Sequence, residues 1–288
     1  MKILLLGKHG QVARALQSSL AHERELVALG RDQLDLADPA QIRQQVRALK
    51  PDLIINAAAH TAVDQAEHEP ELAYALNARA PGVLAEEAAA LGVPLIHYST
   101  DYVFDGSQPS PYQEDDAPNP LGVYGQSKLA GERALQAVGG EHLILRTSWV
   151  YSRHGRNFLL TMQRLLQERE ELQVVDDQIG APTWAGSIAT ATAQLIERWR
   201  AGQAGPWGTY HLCARGETSW FGFASAIAER LKAEGKPCAR LLPIPSSAYP
   251  TPARRPLNSR LNCARLQAEW GVQLPDWRAA LNDCLATP

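Results

Sequence analysis

Tyr124, Lys128 and Thr100 are the residues of this chain whose types and spacing point most directly to chemistry. The run Tyr124-Gly125-Gln126-Ser127-Lys128 sets a phenol and an ammonium four residues apart, which on a helix places them on one face. A phenol with a pKa of about 10 exchanges protons poorly at neutral pH, and a neighbouring cation draws that value down toward the working range. Upstream, Ser99-Thr100-Asp101-Tyr102-Val103-Phe104 supplies the Thr100 hydroxyl, which can share one substrate oxygen with Tyr124. Taken alone, Tyr-x-x-x-Lys is common on amphipathic helices as a solvated Lys beside a half-buried Tyr. Thr100 alone reads equally well as a turn that ends a strand.

The N-terminus adds weight to the chemical reading. Lys2-Ile3-Leu4-Leu5-Leu6 is a short apolar run bounded by glycine, the pattern of a buried parallel strand. It leads into Gly7-Lys8-His9-Gly10-Gln11-Val12-Ala13, a Gly-x-x-Gly-x-x-Ala variant of the dinucleotide fingerprint. In that motif Gly7 and Gly10 let backbone approach a pyrophosphate, and the following helix offers free N–H groups and a positive dipole end. Together with Thr100, Tyr124 and Lys128, it predicts a nicotinamide cofactor and Tyr-based proton transfer.

These residues need a scaffold, and the first half of the chain supplies one. Strands are expected at Lys2–Leu6, Leu26–Leu29, Leu53–Asn56, Leu95–Tyr98 and Leu143–Thr147. Helices are expected at Gln11–Leu20, Pro39–Leu49, Glu71–Leu91 and Tyr124–Val138. The alternation predicts an α/β fold, a Rossmann-type doubly wound parallel sheet. Ligands gather at the carboxyl ends of such strands, where Gly7, Asn56–Ala59, Ser99–Asp101 and Thr147–Trp149 fall. All seven Trp lie from Trp149 onward, with a proline-rich run from Pro243 to Pro256. The expected division is therefore a dinucleotide-binding domain over 1–147 and a smaller, interleaved substrate lobe over 148–288. Some elements of that lobe should return to the sheet, and helices at Asn157–Gln167 and Ser187–Trp199 are expected to flank it.

Other positions leave two readings open. Gly30 stands where an acid would bind the ribose 2′-hydroxyl, and Arg31 follows, so either a 2′-phosphate is accommodated or Arg31 is an ordinary surface residue. Asp35 and Leu36 lie just beyond, within reach of an adenine. Asn77 is mildly unfavourable in an Ala- and Leu-rich helix, and a structural hydrogen bond explains it as well as a functional one. Trp149 offers a sugar or base a flat apolar face and one N–H, or else it seals the two lobes as core. The run Glu114-Asp115-Asp116 reads as a solvated loop, with no His or spaced carboxylate to make a metal site.

A net charge of −3 over 288 residues gives no electrostatic case for nucleic acid or an anionic membrane. The N-terminal apolar run is too short for a signal peptide or a membrane span. Cys213, Cys238, Cys263 and Cys284 form no zinc or redox spacing and read as free thiols in a reducing cytoplasm.

With these residues in place, the chain resembles the extended short-chain dehydrogenase/reductases and, more narrowly, the dTDP-4-dehydrorhamnose reductase family. The stretches NAAAHTAVDQAE, STDYVFDG, YGQSKLAGE, LRTSWVY, DDQIGAPT and YPTPARRPLNSRLN run in family order over essentially the whole chain. The resemblance implies reduction of dTDP-4-dehydro-β-L-rhamnose to dTDP-β-L-rhamnose by NADPH or NADH. It gives Gly10, Gln11 and Val12 to the pyrophosphate and Asp35 and Leu36 to the adenosine. Ala59, His60, Thr61 and Tyr98 would flank the cofactor farther in. It makes Tyr124 the proton donor and Lys128 the group that binds the nicotinamide ribose and tunes Tyr124. Thr100, Asp101 and Trp149 would meet the nucleotide-sugar. Gly30 departs from relatives that carry an acid there, and Ala13 replaces the third glycine. Some relatives form a dimer with Mg²⁺ at the contact. A homodimer is left open, but no local carboxylate cluster carries the metal over. Two other readings on the same scaffold are a non-catalytic regulatory subunit, which has no need of a tuned phenol, and an epimerase or dehydratase that recycles tightly bound NAD.

Overall fold

In the computed structural model, which describes residues 1–23 and 25–286, the expected apolar runs do form strands, and all but the edge strand at Glu25–Leu29 are buried on both faces. The order is β1 (Lys2–Leu6), α1 (Gln11–Ser19), β2 (Glu25–Leu29), α2 (Pro39–Leu49) and β3 (Leu53–Asn56). Short helices α3 (Val63–Ala66) and α4 (Pro70–Tyr74) follow, then a π-helical turn at Ala75–Arg79 that runs into α5 (Ala80–Leu91). Next come β4 (Leu95–Thr100), α6 (Val123–Val138) and β5 (His142–Thr147). The second half contains β6 (Val150–Tyr151), α7 (Phe158–Glu168), β7 (Glu171–Val175), β8 (Ile179–Gly180), β9 (Thr183–Trp184) and α8 (Ala185–Arg200). It ends with β10 (Gly208–His211), β11 (Thr218–Ser219), α9 (Trp220–Ala233), β12 (Arg240–Ile244), α10 (Ala264–Trp270) and α11 (Trp277–Ala286).

The main sheet has the order β10-β5-β4-β3-β1-β2, and every pairing in it is parallel. Side chains on a strand alternate faces, and the two cores divide accordingly. Ile3, Leu5, Leu53, Ile55, Leu143 and Leu145 pack under α1, α8 and α10, whereas Leu4, Leu6, Ile54 and Ile144 pack under α2, α5 and α6. Each such Leu or Ile contributes roughly 1.5–3 kcal/mol on burial, so the sheet is the rigid base of the molecule. The strand order reverses between β1 and β3, the point at which doubly wound sheets open a crevice.

The second half divides its elements between two cores. β10 joins the edge of the main sheet beside β5, and α8 packs on α1. With α10 also on the main-sheet core, α7, α9 and α11 form a separate cluster rich in aromatics, including Tyr151, Phe223 and Trp277. Helix α7, expected to flank the main sheet, belongs to this second cluster: Leu159, Met162 and Leu166 pack with α9. An apolar stripe shows that a helix has a buried face and not which core receives it. Side chains tie the halves together. Gln11 Oε1 accepts from Ser152 Oγ at 2.9 Å and Asn157 Nδ2 at 2.7 Å, and Arg255 Nη2 meets Asp64 at 2.8 Å. Among the described residues no helix is long and apolar enough to cross a membrane.

Candidate active site

The carboxyl ends of β1, β3, β4 and β5 open into one cleft of about 750 Å³. At its base, the turn after β1 works through backbone. Gly7 sits at φ +87°, and a Cβ there would lie 2.8 Å from Ala58 N, so only glycine allows the turn to pack on the loop after β3. Helix α1 begins at Gly10 with no side-chain cap and no acidic residue in its first turn. Its free N–H groups and positive end therefore face the cleft, as a pyrophosphate requires.

Of the residues expected at the cofactor, Gly7, Gly10, Gln11, Val12, Gly30, Arg31, Asp35, Leu36, Ala59, Thr61, Tyr98, Tyr124 and Lys128 all line this cleft. Arg31 is exposed at its rim. The Asp35 carboxylate is turned inward on its own loop, accepting from Ala37 N at 2.9 Å. Tyr98 lines the cleft with its hydroxyl committed to Thr192, 2.7 Å away. His60 does not line the cleft. It is buried with Nε2 3.3 Å from Glu69, while its backbone N–H and C=O are both held by the Asn77 side chain. Asn77, in the π-helical turn, also donates to Ser127 Oγ at 3.0 Å, so its hydrogen bonds are structural and clamp this loop to α6.

Helix α6 carries Tyr124 and Lys128, and two contacts fix it. Glu67 Oε1 accepts from Val123 N at 2.8 Å, which satisfies one of the free N–H groups of the first turn. Gly125 lies so close to the carbonyl oxygen of Tyr102 that a side chain at that position has no room. Tyr124 also packs edge-on against Tyr102, with centroids 5.4 Å apart.

The acid–base groups are set mainly by burial. Burial pushes the Tyr124 phenol up to about 12; a hydrogen bond with Thr100 opposes the shift and the charge of Asp101 adds to it. Burial likewise pushes Asp101 up to about 6, against hydrogen bonds from Ser259 and Thr100. The Lys128 amino group, expected as an ammonium to pull the phenol down, is held elsewhere. It lies 2.6 Å from the carbonyl oxygen of Tyr98 and 3.2 Å from His97 Nε2, and burial lowers it to about 8. The result is a phenol held in its protonated form, the state in which it can donate.

Thr100, Asp101 and Trp149 share the cleft with Tyr124. Trp149 adopts φ +48°, unusual for a bulky residue. It stacks on Trp220 at 3.6 Å and lies so near Gly180 that a Cβ there would be 2.6 Å from the indole. It therefore both seals the aromatic cluster and presents its remaining face to the cleft. Three buried polar atoms of cleft residues have no partner among the described residues: Ser99 Oγ, Asp101 Oδ2 and Thr147 Oγ1. Buried polar atoms left so call for a ligand or water to complete them.

Sequence reasoning missed the Gly155–Asn157 segment and the Val63, Leu72 and Leu76 side chains, which also line the cleft. Nothing local marked them; they arrive through the Gln11 hydrogen bonds and the α3–α4 turn. The acidic run differs from expectation as well. Glu114 is buried and accepts from His211 N at 3.1 Å, and Asp115 pairs with Arg265. Arg146, itself buried, pairs with Glu132 at 2.7 Å and donates to the Glu114 carbonyl.

A parallel doubly wound sheet, a glycine turn and a Thr-Tyr-Lys set in one cleft define a Rossmann-type oxidoreductase of the extended short-chain dehydrogenase/reductase class. The chain belongs to the family described as RmlD substrate binding domain, whose model matches residues 1–288. It is 49% identical to a dTDP-4-dehydrorhamnose reductase of Burkholderia thailandensis, covering 99% of this chain and 98% of that one. It is 47% identical to one of Escherichia coli K12, covering 99% and 97%. A dTDP-4-dehydrorhamnose reductase from Bacillus anthracis solved in complex with NADP superimposes with a TM-score of 0.91 at 35% identity, with 99% of each chain covered.

Proposed function

We propose that this protein reduces the 4-keto group of dTDP-4-dehydro-β-L-rhamnose to give dTDP-β-L-rhamnose, using NADPH or NADH. The observation that carries the reading is the single cleft holding both the Gly7–Val12 turn and the protonated Tyr124 phenol beside Thr100. The dinucleotide fits the residues present: an uncapped helix N-terminus without acids for its pyrophosphate, and small residues at Ala57–Ala59 for a flat ring. When bound, it would supply the hydride. Gly7, Gly10, Gln11 and Val12 would hold the pyrophosphate, with Gly30, Arg31, Asp35 and Leu36 along the adenosine. Ala59, Thr61, Tyr98 and Lys128 would lie deeper, and His60 would support them from behind.

Thr100 orients the sugar oxygen, and Tyr124 gives it a proton as the carbonyl becomes an alcohol. The phenol carries its proton at neutral pH as a free tyrosine does, and the far more basic alkoxide developing on the sugar draws it across even though burial makes Tyr124 a weaker acid. Asp101 and Trp149 contact the nucleotide-sugar. The structures in complex with NAD, such as a UDP-glucose 4-epimerase from Thermus thermophilus at 20% identity, share the fold alone. We place the reaction in the cytoplasm, a reading supported by the four free cysteines. A homodimer rests on family resemblance alone. The direct test is NADPH and NADH oxidation on addition of the 4-keto sugar nucleotide, with dTDP-β-L-rhamnose identified as product. Consumption of neither cofactor overturns the reading.

A further inference from the structure

Behind Lys128 runs a chain of buried polar groups that the reaction above leaves unexplained. His97 Nε2 lies 3.2 Å from Lys128 Nζ, and His97 Nδ1 lies 3.1 Å from Asn56 Nδ2. Asn56 Oδ1 accepts from the backbone N–H of Ala58 at 3.1 Å, in the loop that lines the cleft. None of the three side chains is more than 1% exposed.

The hydrogen bonds dictate one tautomer. Ala58 N–H needs an acceptor, so the amide oxygen of Asn56 faces it and the NH₂ faces His97. Nδ1 of His97 is therefore the acceptor. Burial keeps the imidazole neutral, so its one hydrogen is on Nε2, pointing at Lys128. An N–H in that place suits the lone pair of an amine and opposes an ammonium, which has donors only. The Tyr98 carbonyl accepts a hydrogen from either form.

We propose that Asn56 and His97 are positioning residues for Lys128, whose locked Nε2–H tautomer holds the lysine nitrogen at the Tyr98 carbonyl and weakens its hold on a proton. Protonating Lys128 favours the Nδ1–H tautomer, which requires the Asn56 amide to turn over and takes the acceptor away from Ala58. The charge on Lys128 and the shape of the loop at Ala57–Ala59 are thereby linked. Burial acts on Lys128 in the same direction, lowering it to about 8. From its own helix Glu132 opposes this, although its carboxylate is already paired with Arg146 of β5. From β4 the titratable group against Lys128 is His97, and the turn after β4 brings Asp101, whose charge bears on Tyr124, and Tyr102, which burial keeps neutral.

The inference rests on the reductase reading for the use made of Lys128, but its first test needs no turnover. In protein labelled with [¹⁵N]histidine, the His97 resonances are those lost in His97→Gln. At about pH 8 the wild-type spectrum should show a protonated Nε2 and a bare Nδ1. Asn56→Asp keeps an acceptor for Ala58 and offers Nδ1 a second acceptor in place of a donor. It should switch His97 to Nδ1–H and move the alkaline limb of kcat/KM upward by about one pH unit or more. An Nδ1–H tautomer in the wild type overturns the proposal, as does a switched tautomer with the alkaline limb unmoved. Absence of reductase activity in the wild type would instead overturn the proposed function and leave the tautomer result standing.

Discussion

Along Gly7, Gly10 and Ala57–Ala59 the cleft is walled by backbone and methyl groups, whereas at Thr100, Asp101, Tyr124 and Lys128 it is walled by side chains that can exchange protons or donate hydrogen bonds. On the proposed function the first wall would recognise by shape, through a turn that only glycine can make and helix N–H groups left free. The second would work through proton affinity, and burial is the dominant force on three of its members. Damage to the first wall should therefore appear as lost cofactor binding, and damage to the second as lost chemistry or altered pH dependence.

The largest effect expected on the first wall is that of Gly7→Val. A β-branched residue at φ +87° with its Cβ against Ala57 and Ala58 is strained by about 1–3 kcal/mol before any clash is counted. The variant should melt early and bind NADPH at least tenfold more weakly by titration calorimetry. Retained affinity would show that the turn does not govern the cofactor.

Asp101→Asn probes the second wall through stability. The folded carboxyl, raised to about 6 from an ordinary 3.8, favours the protonated state, so ionisation costs folding energy. Stability from this group is fully present below about pH 4 and is lost as pH rises toward 6. Removing the charge should stabilise the protein by about 3 kcal/mol above pH 6, with the gap closing in acid. Denaturant melts at several pH values would read it, and a gap that does not depend on pH would contradict it.

Arg31→Ala should separate the two cofactors more gently, weakening NADPH by roughly fivefold relative to NADH because the side chain is exposed. Equal effects would return Arg31 to the solvated surface. Trp149→Phe, the mildest change, keeps the stack on Trp220 and should raise the sugar-nucleotide KM by roughly threefold with KM for NADPH unchanged. Early melting with an unchanged KM would make Trp149 core alone.

Much of the first wall was legible in the sequence because its signals are local. Runs such as Ile3–Leu6 and Leu53–Ile55 are buried on both faces, and a glycine that must adopt positive φ follows β1 directly. The second wall was legible in its members and not in its energetics. Tyr-x-x-x-Lys spacing puts two side chains on one face, yet the partners of Lys128 come from β4, a neighbour that only the sheet supplies. His60 illustrates the same limit, since a loop sequence does not say which way a ring turns once Asn77 holds its backbone. Glu114 was read as solvated because charge predicts exposure on average, and its burial depends on His211 and Arg146, far away in the chain.

The central claim is that Tyr124 serves as the proton donor, and the measurement that bears on it most directly compares wild type with Tyr124→Phe. Single-turnover consumption of NADPH with saturating 4-keto sugar nucleotide should be about 10²–10⁴-fold slower in the variant. Its melting temperature and NADPH Kd should stay close to wild type, because only a hydroxyl at the cleft wall is removed. Single-turnover consumption at the wild-type rate would contradict the claim.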